Sequence, residues 1–178
     1  MRGYDLAGVD LSVSRPSAVA ILRGCIDLME AWPADVVELL SGVDVVAVDA
    51  PLSLPREGAF RDFERELLGR GFRLLPLNMR SMRKLAELGE RFRVMLSARG
   101  VTVLETHPAT VRRVMGVSGM ELVSLMSKYG YCSGPPKSDD EVDALTCLSV
   151  AVLYVRGEVE VVRGEEGSMI LPLPGSLP

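Results

Sequence analysis

Three apolar stretches of this 178-residue chain end in an acidic residue, at positions where a charge is costly. Asp10 ends the stretch AGVD, Asp49 ends VVAVD, and Glu105 ends VTVLE. Each stretch has the composition of a buried strand. A carboxylate at the end of such a strand is destabilising unless it is paired, hydrogen-bonded or bound to a metal. One such residue could simply cap a turn, but three together indicate a shared site.

The segment SDDEVDAL, which begins the longest predicted helix, supplies further carboxylates. Ser138 and Glu141 form a capping-box pattern, which by itself accounts for acidic residues in the first turn. It does not account for Asp143, which shares a small, apolar helix face with Cys147. We therefore expect Asp140 and Asp143 to point together toward the sheet beneath the helix.

Converging carboxylates predict a metal site. If the strands that end at Asp10 and Asp49 are neighbours, the helix can deliver Asp140 and Asp143 to the same place. Clustered carboxylates raise one another's pKa unless a cation neutralises them. Oxygen ligands without histidine or cysteine select Mg²⁺ or Mn²⁺, and two such ions suit phosphodiester cleavage. Glu105 is a further candidate catalytic residue.

The lone histidine, His107, precedes Pro108 at a predicted helix start. A capping or packing role is the simpler interpretation. As a neutral base beside a metal site, it could instead take a proton from an attacking water molecule. The chain has no Ser-His-Asp order and no GxSxG motif for acyl chemistry, and no glycine-rich phosphate loop.

The elements that would position these residues follow from periodicity and turn signals. Residues 4–11, 17–23 and 25–32 predict three antiparallel strands. Next come a short helix in PADVVELLSG, a buried strand in VDVVAVDAP, a helical insertion and the strand VTVLE. The remaining predictions are helices in THPATVRRVMG, GMELVSLMSKYG and the segment from Ser138, and a hairpin over residues 159–172.

This succession is the order of the ribonuclease H-like fold. We therefore predict an α/β protein with a five-stranded mixed sheet flanked by helices, a helical insertion at residues 55–100 after the fourth strand, and a C-terminal hairpin. The absence of a linker or repeat favours a single domain over residues 1–178. We expect the core to include Trp32, Met115, Met120 and Met126.

Charge is segregated along the chain, although the net charge is only -4. Residues 56–99 hold 11 basic and 6 acidic residues, which leaves 9 basic and 18 acidic residues elsewhere. Because arginine fits phosphate in a bidentate manner, Arg61, Arg80 and Arg83 are candidates to bind a nucleic-acid or nucleotide phosphodiester. The alternative is a solvated helix with internal pairs such as Glu87 with Arg91.

Composition also predicts the cellular location of the protein, the state of its cysteines and its heat adaptation. No apolar run reaches the ~18 residues that span a bilayer, and the N-terminus lacks a signal-peptide pattern, so we expect a cytoplasmic protein that does not enter a membrane. Cys25, Cys132 and Cys147 show no CxxC spacing, which favours reduced thiols and excludes a disulfide scaffold. The lack of glutamine and the single Asn78 suggest heat adaptation, although a genome rich in G and C gives a similar bias.

Several motifs together resemble a family of uncharacterised proteins described as predicted nucleases with a ribonuclease H-like fold. The resemblance runs nearly end to end, through GVDLS, VAVDAPLSLP, the Arg61-Asp62 pair, LETHPA, SDDEVDAL and EEGSMILP. The Asp140-x-x-Asp143 spacing is also similar to the C-terminal helix of RuvC-type Holliday-junction resolvases. That similarity implies Asp10, Asp49, Asp140 and Asp143 as the metal ligands.

Three functions are compatible with the sequence. A metal-dependent nuclease accounts for the carboxylates and the arginine-rich insertion. A non-catalytic interaction domain would keep only the fold. An ATP-binding relative of the sugar kinase and actin superfamily would share a strand-1 aspartate, but it normally needs two such lobes and a phosphate hairpin. The choice between DNA, RNA and a small nucleotide stays open, as does the formation of a homodimer.

Overall fold

The computed structural model describes residues 3–178. The chain opens with an antiparallel meander of β1 (Leu6–Asp10), β2 (Ser17–Arg23) and β3 (Cys25–Ala31). Helix α1 (Pro33–Leu39) begins with proline at its first position and leads into β4 (Val45–Asp49), which runs parallel to β1.

The second half adds one strand to this sheet and most of the helices. The insertion forms α2 (Asp62–Gly69) and α3 (Arg80–Ser97), and β5 (Thr102–Thr106) follows it. The later elements are α4 (Pro108–Met115), α5 (Gly119–Met126), a 3-10 turn (Ser127–Tyr129), α6 (Asp139–Arg156) and the hairpin of β6 (Val159–Gly164) and β7 (Gly167–Pro172).

The five strands lie in the order β3-β2-β1-β4-β5, with β1, β4 and β5 parallel and the meander antiparallel. This mixed sheet, the insertion between its fourth and fifth strands and the terminal hairpin confirm the predicted fold class. The parallel strands direct their carboxyl ends to one edge, where the acidic strand ends meet.

Helices cover both faces of the sheet. Helix α6 packs on one face, and α1 and α3 pack on the other, which gives an apolar cluster on each side. Glycine permits the closest approaches. A β-carbon at Gly8 would collide with the backbone of α6 at Ala144 and Leu148, and one at Gly89 in α3 would collide with the carbonyl oxygen of Pro51. Both contacts hold a helix against the sheet near the acidic edge.

Two sequence expectations are wrong in the structure. Cys25 and Cys132 form a disulfide with their Cα atoms 5.8 Å apart, whereas we expected reduced thiols; only Cys147 is free and buried, as expected. The two cysteines are 107 residues apart in sequence. They are brought together because the backbone of Ile26 pairs with the segment that follows the 3-10 turn, and no local sequence pattern predicts that pairing.

The second wrong expectation concerns which side chains are buried in the core. Met115 and Met126 are buried as expected, but Met120 is 76% exposed and Trp32 is 53% exposed. Met120 lies in the first turn of α5, and Trp32 caps the start of α1, so helix ends place both side chains at the surface. Within residues 3–178, no helix has the length and apolar character needed to span a membrane.

Candidate active site

Asp10 and Asp49 are paired in register at the ends of the parallel strands β1 and β4. Neighbouring strands lie about 4.8 Å apart, so the two carboxylates leave the sheet side by side. They lie on the same face as Gly8, which is the face that α6 covers. The second turn of α6 begins there with Asp143.

The pKa values of these carboxylates reveal their mutual repulsion. Burial and the charge of Asp143 raise the pKa of Asp10 from 3.8 to about 6, against the opposing effect of Arg15. The pKa of Asp49 lies well above 3.8 because of burial and because Asp10, Asp143 and Glu105 surround it. The three aspartates therefore form one electrostatically coupled group.

Two arginines hold the carboxylates of α6. Arg112 Nη1 on α4 donates a hydrogen bond to Asp143 Oδ1 at 2.5 Å and one to Thr146 Oγ1 at 3.0 Å. Arg15, between β1 and β2, donates from Nη2 to Asp140 Oδ1 at 3.1 Å, and its Nη2 lies 3.9 Å from Asp10 Oδ2. Asp140 and Asp143 thus both lie over the acidic edge of the sheet, as the helix periodicity predicted, although each is engaged by a guanidinium.

The donor set fits a hard divalent cation. All the donors are carboxylate oxygens, and the four aspartates outnumber the two arginines that engage them. In the described part of the chain, no three acidic, histidine or cysteine side chains converge into a ready-made metal site. Metal binding at Asp10 and Asp49 would therefore require Asp140 and Asp143 to turn from their arginines.

His107 borders the same site from the start of α4. Its Nδ1 lies 2.8 Å from Thr110 Oγ1, so Thr110 fixes the orientation of the ring. Burial lowers the pKa of His107, and the charge of Arg112 lowers it further, whereas Asp143 raises it. The imidazole is therefore neutral near pH 7 and able to accept a proton.

The structure brings Glu105 to a different environment from the aspartate pair. In the pairing of β4 with β5, Glu105 is opposite Val48, and Thr106 is opposite Asp49. Because side chains alternate along a strand, the Glu105 side chain lies on the opposite face of the sheet from Asp49. Its Oε2 accepts hydrogen bonds from the Leu52 N–H and from Arg61 Nη1, each at 2.8 Å. Glu105 is thus neutralised by Arg61.

Arg61, a candidate substrate-binding residue, is a buried part of the cavity lining. Its guanidinium forms an ion pair with Glu105 inside the fold. Besides Glu105, its guanidinium contacts Glu64 at 2.8 Å and Ser53 Oγ at 3.0 Å. Although burial lowers the pKa of Arg61, the two glutamates raise it above its usual value. Arg61 thus joins the insertion to β5 and to the segment after Asp49.

A cavity of about 190 Å³ connects these groups. Its polar lining includes Asp10, Asp49 and His107, and its apolar wall comes from the insertion, with Leu75, Met82 and Leu85 among its residues. Arg80 and Arg83 are exposed at the beginning of α3, next to this wall. Arg83 Nε lies 3.4 Å from Glu87 Oε1. The cavity leaves room for a substrate group directly above the aspartate pair.

Solved structures with the same architecture include RuvC. Thermus thermophilus RuvC in complex with a Holliday junction substrate aligns over 94% of this chain and 100% of its own chain, with a TM-score of 0.53 and 15% identity. The chain has the ribonuclease H-like fold. A second Thermus thermophilus RuvC structure covers 94% of this chain and 99% of its own, at a TM-score of 0.51 and 14% identity. No protein-family model and no curated protein sequence matches the chain.

Within the ribonuclease H-like fold, Arg15 and Arg112 are the site residues that sequence reasoning missed. Arg15 is five residues after Asp10, in a turn whose conformation the sequence does not specify. Arg112 meets Asp143 across 31 positions. Its only sequence signal is the helix periodicity that places Arg112 one turn after Pro108 and near His107, on the side facing α6.

Proposed function

We propose that this protein is a metal-dependent phosphodiesterase that cleaves nucleic acid. The observation that carries the proposal is the register of Asp10 and Asp49 on adjacent parallel strands, coupled to Asp143 across the sheet edge. Coupled carboxylates with raised pKa values are typical of sites that bind cations or transfer protons. The fold shared with RuvC supports a nuclease by analogy.

In this mechanism, Asp10, Asp49, Asp140 and Asp143 would hold the divalent cations, Mg²⁺ or Mn²⁺. When bound, the ions polarise the phosphate and activate water. The chain's own residues do the rest. Asp10 and Asp49 would fix the position of the ions, because they end two paired strands at the floor of the site. His107, held by Thr110, accepts a proton from the attacking water at its Nε2.

The insertion is proposed to contact the substrate. Its apolar wall excludes water from one side of the cavity, and Arg80 and Arg83 offer guanidinium groups to phosphates beyond the scissile one. The acidic remainder of the chain disfavours tight binding to every stretch of backbone. Recognition would therefore depend on the cation and on the insertion together.

A cleavage assay tests the proposal. Purified protein is incubated with labelled single-stranded DNA, duplex DNA, a four-way DNA junction and single-stranded RNA, with Mg²⁺, Mn²⁺ or EDTA. We expect cleavage of at least one substrate with a divalent ion and none with EDTA. Asp10→Asn and Asp49→Asn should each lower the rate by roughly a thousandfold or more, since each removes a ligand charge.

Asp27→Asn is the matched control, because Asp27 is an exposed aspartate on β3 outside the site. It should cleave at the wild-type rate. Cleavage that persists in Asp10→Asn and Asp49→Asn would come from another site or a contaminant and would overturn the proposal. No cleavage by the wild type across the whole panel, together with no Mn²⁺ binding, would favour the non-catalytic interaction domain.

A further inference from the structure

Two arginines occupy the acidic site as internal counter-ions. Arg112 is hydrogen-bonded to Asp143, and Arg15 is hydrogen-bonded to Asp140 while lying 3.9 Å from Asp10. Thus three of the four candidate metal ligands face a guanidinium. Among residues 3–178, no arginine is hydrogen-bonded to Asp49, which lies in register with Asp10.

The charges do not balance in this arrangement. When all four aspartates are ionised, they carry four negative charges against the two positive charges of the arginines. The two carboxylates without a hydrogen-bonded arginine, Asp10 and Asp49, lie in register at the ends of β1 and β4. A divalent cation bound there neutralises the surplus, and its attraction for the carboxylates exceeds that of a singly charged guanidinium at similar distance. The carboxylates of Asp140 and Asp143 would then exchange their arginine partners for the ion.

Both arginines can leave without unfolding the site. The Arg15 side chain is 52% exposed and belongs to a turn between two strands, so a change of rotamer carries its guanidinium into solvent. Arg112 is 23% exposed and projects from α4, whose backbone hydrogen bonds do not depend on it. Each guanidinium would remain within one side-chain length of the aspartates that it released.

A phosphate at the aspartate pair would lie within reach of those same guanidiniums. Arginine binds phosphate through paired, charge-assisted hydrogen bonds, in the way it binds a carboxylate. We propose that Arg15 and Arg112 are exchangeable ligands, which hold Asp140 and Asp143 in the metal-free protein and transfer to the substrate's phosphates once a divalent cation has taken the carboxylates. This inference rests on the proposed function, and it names the residues that link cation loading to substrate binding.

The exchange predicts effects of opposite sign on two affinities. Arg15→Ala and Arg112→Ala each remove a competitor of the cation, so the affinity for Mn²⁺ should rise by about fivefold in the absence of nucleic acid. The same variants should bind nucleic acid roughly tenfold more weakly with Ca²⁺ present, and the salt dependence of binding should decrease by about one ion each. Calorimetry with MnCl₂ and fluorescence anisotropy with labelled single-stranded DNA and a four-way junction measure the two affinities.

Arg23→Ala is the control, because Arg23 pairs with Asp5 at the surface, at 2.9 Å and away from the site. Neither affinity should change in this variant. Arg15→Lys and Arg112→Lys keep a cation, so they should restore the lower Mn²⁺ affinity and part of the nucleic-acid affinity. A variant that merely loosened the fold would lower both affinities, whereas the exchange raises one and lowers the other.

The possible failures are distinguishable. If the wild type binds Mn²⁺ and the arginine variants bind it no more tightly, the exchange is overturned and the proposed function stands. Unchanged nucleic-acid affinity in both alanine variants overturns the phosphate-binding half of the inference in the same way. If the wild type does not bind Mn²⁺ at all, the proposed function fails and this inference fails with it.

Discussion

Asp10 and Asp49 lie side by side in surroundings that disfavour the ionised form of both carboxylates. Their neighbours are buried valines and glycine on β1 and β4, which cannot solvate a charge. The result is a pKa of about 6 for Asp10 and a pKa well above 3.8 for Asp49. A raised carboxylate pKa means that the folded protein disfavours the ionised form, so the site costs stability that a bound cation would return.

Substituting Asp10 tests this cost directly. A folded pKa of about 6 against an ordinary 3.8 corresponds to roughly 3 kcal/mol of destabilisation once Asp10 is ionised. The penalty is absent below the ordinary pKa and grows as the pH rises through the folded pKa. In EDTA, Asp10→Asn should therefore exceed the wild type in unfolding free energy by up to about 3 kcal/mol near pH 7.

Urea unfolding at about pH 3 and about pH 7 measures the difference. The gap between Asp10→Asn and the wild type should nearly close at the lower pH, which lies below the ordinary pKa of 3.8, because Asp10 is then mostly protonated in both the folded and unfolded states. Equal stability near neutral pH would mean that Asp10 is not under electrostatic strain. A gap that persisted at low pH would assign the effect to packing instead.

The sequence predicted these aspartates better than it predicted their partners. A carboxylate directly after a buried apolar run is a local signal, and so is an aspartate on the apolar face of a helix. The partner of a charge depends on tertiary contacts. The number of arginines in the sequence therefore does not show where each side chain lies. In the structure, Arg61 is buried and Arg80 is exposed, whereas Arg15 and Arg112 contact the aspartates of the site.

At the scale of elements, a buried ion cluster attaches the insertion to the sheet. Arg61 starts α2, Glu64 lies in its first turn, and Glu105 lies on β5. Through Glu105, the cluster also holds the Leu52 N–H, three residues after Asp49. The cluster therefore positions the wall of the cavity relative to its acidic floor.

Removing Arg61 should be strongly destabilising. Arg61→Met leaves Glu64 and Glu105 buried without a counter-charge, which should lower the unfolding free energy by about 3–5 kcal/mol. Adding Glu105→Gln removes one of the two stranded charges and should recover part of that loss. Urea unfolding of the single and double variants gives the coupling energy.

Arg70→Met is the comparison for this experiment. Arg70 follows the same helix, but its pairs with Glu66 and Glu160 are solvent-exposed, so its loss should cost less than about 1 kcal/mol. A similar small cost for Arg61→Met would show that the buried cluster does not attach the insertion. No recovery in the double variant would contradict a role for Glu105 as the partner of Arg61.

Elements with strong periodicity were predictable, and those joined by distant contacts were not. The strand ending at Asp49 and the helix after Ser138 follow from local composition and capping. The disulfide between Cys25 and Cys132 requires that the segment before α6 return to β3, which no local pattern indicates. The register of Asp10 with Asp49 likewise followed from the expected strand order rather than from either strand alone.

At the scale of the whole molecule, the fold separates two charge regimes. The ribonuclease H-like sheet carries the acidic edge, and the insertion between β4 and β5 carries most of the exposed basic residues beside it. A net charge of -4 hides this division. The arrangement suits a substrate that meets a cation on one side and arginines on the other.

Crystals grown with MnCl₂ test the proposed cation site, because manganese is located by its anomalous scattering independently of the protein coordinates. We expect a manganese peak bound by carboxylate oxygens of Asp10, Asp49 and Asp143, with Arg112 withdrawn from Asp143. The peak should be lost in Asp49→Asn crystals grown under the same conditions. Manganese absent from this edge, or present there equally in Asp49→Asn, would rule out a cation held by this aspartate group.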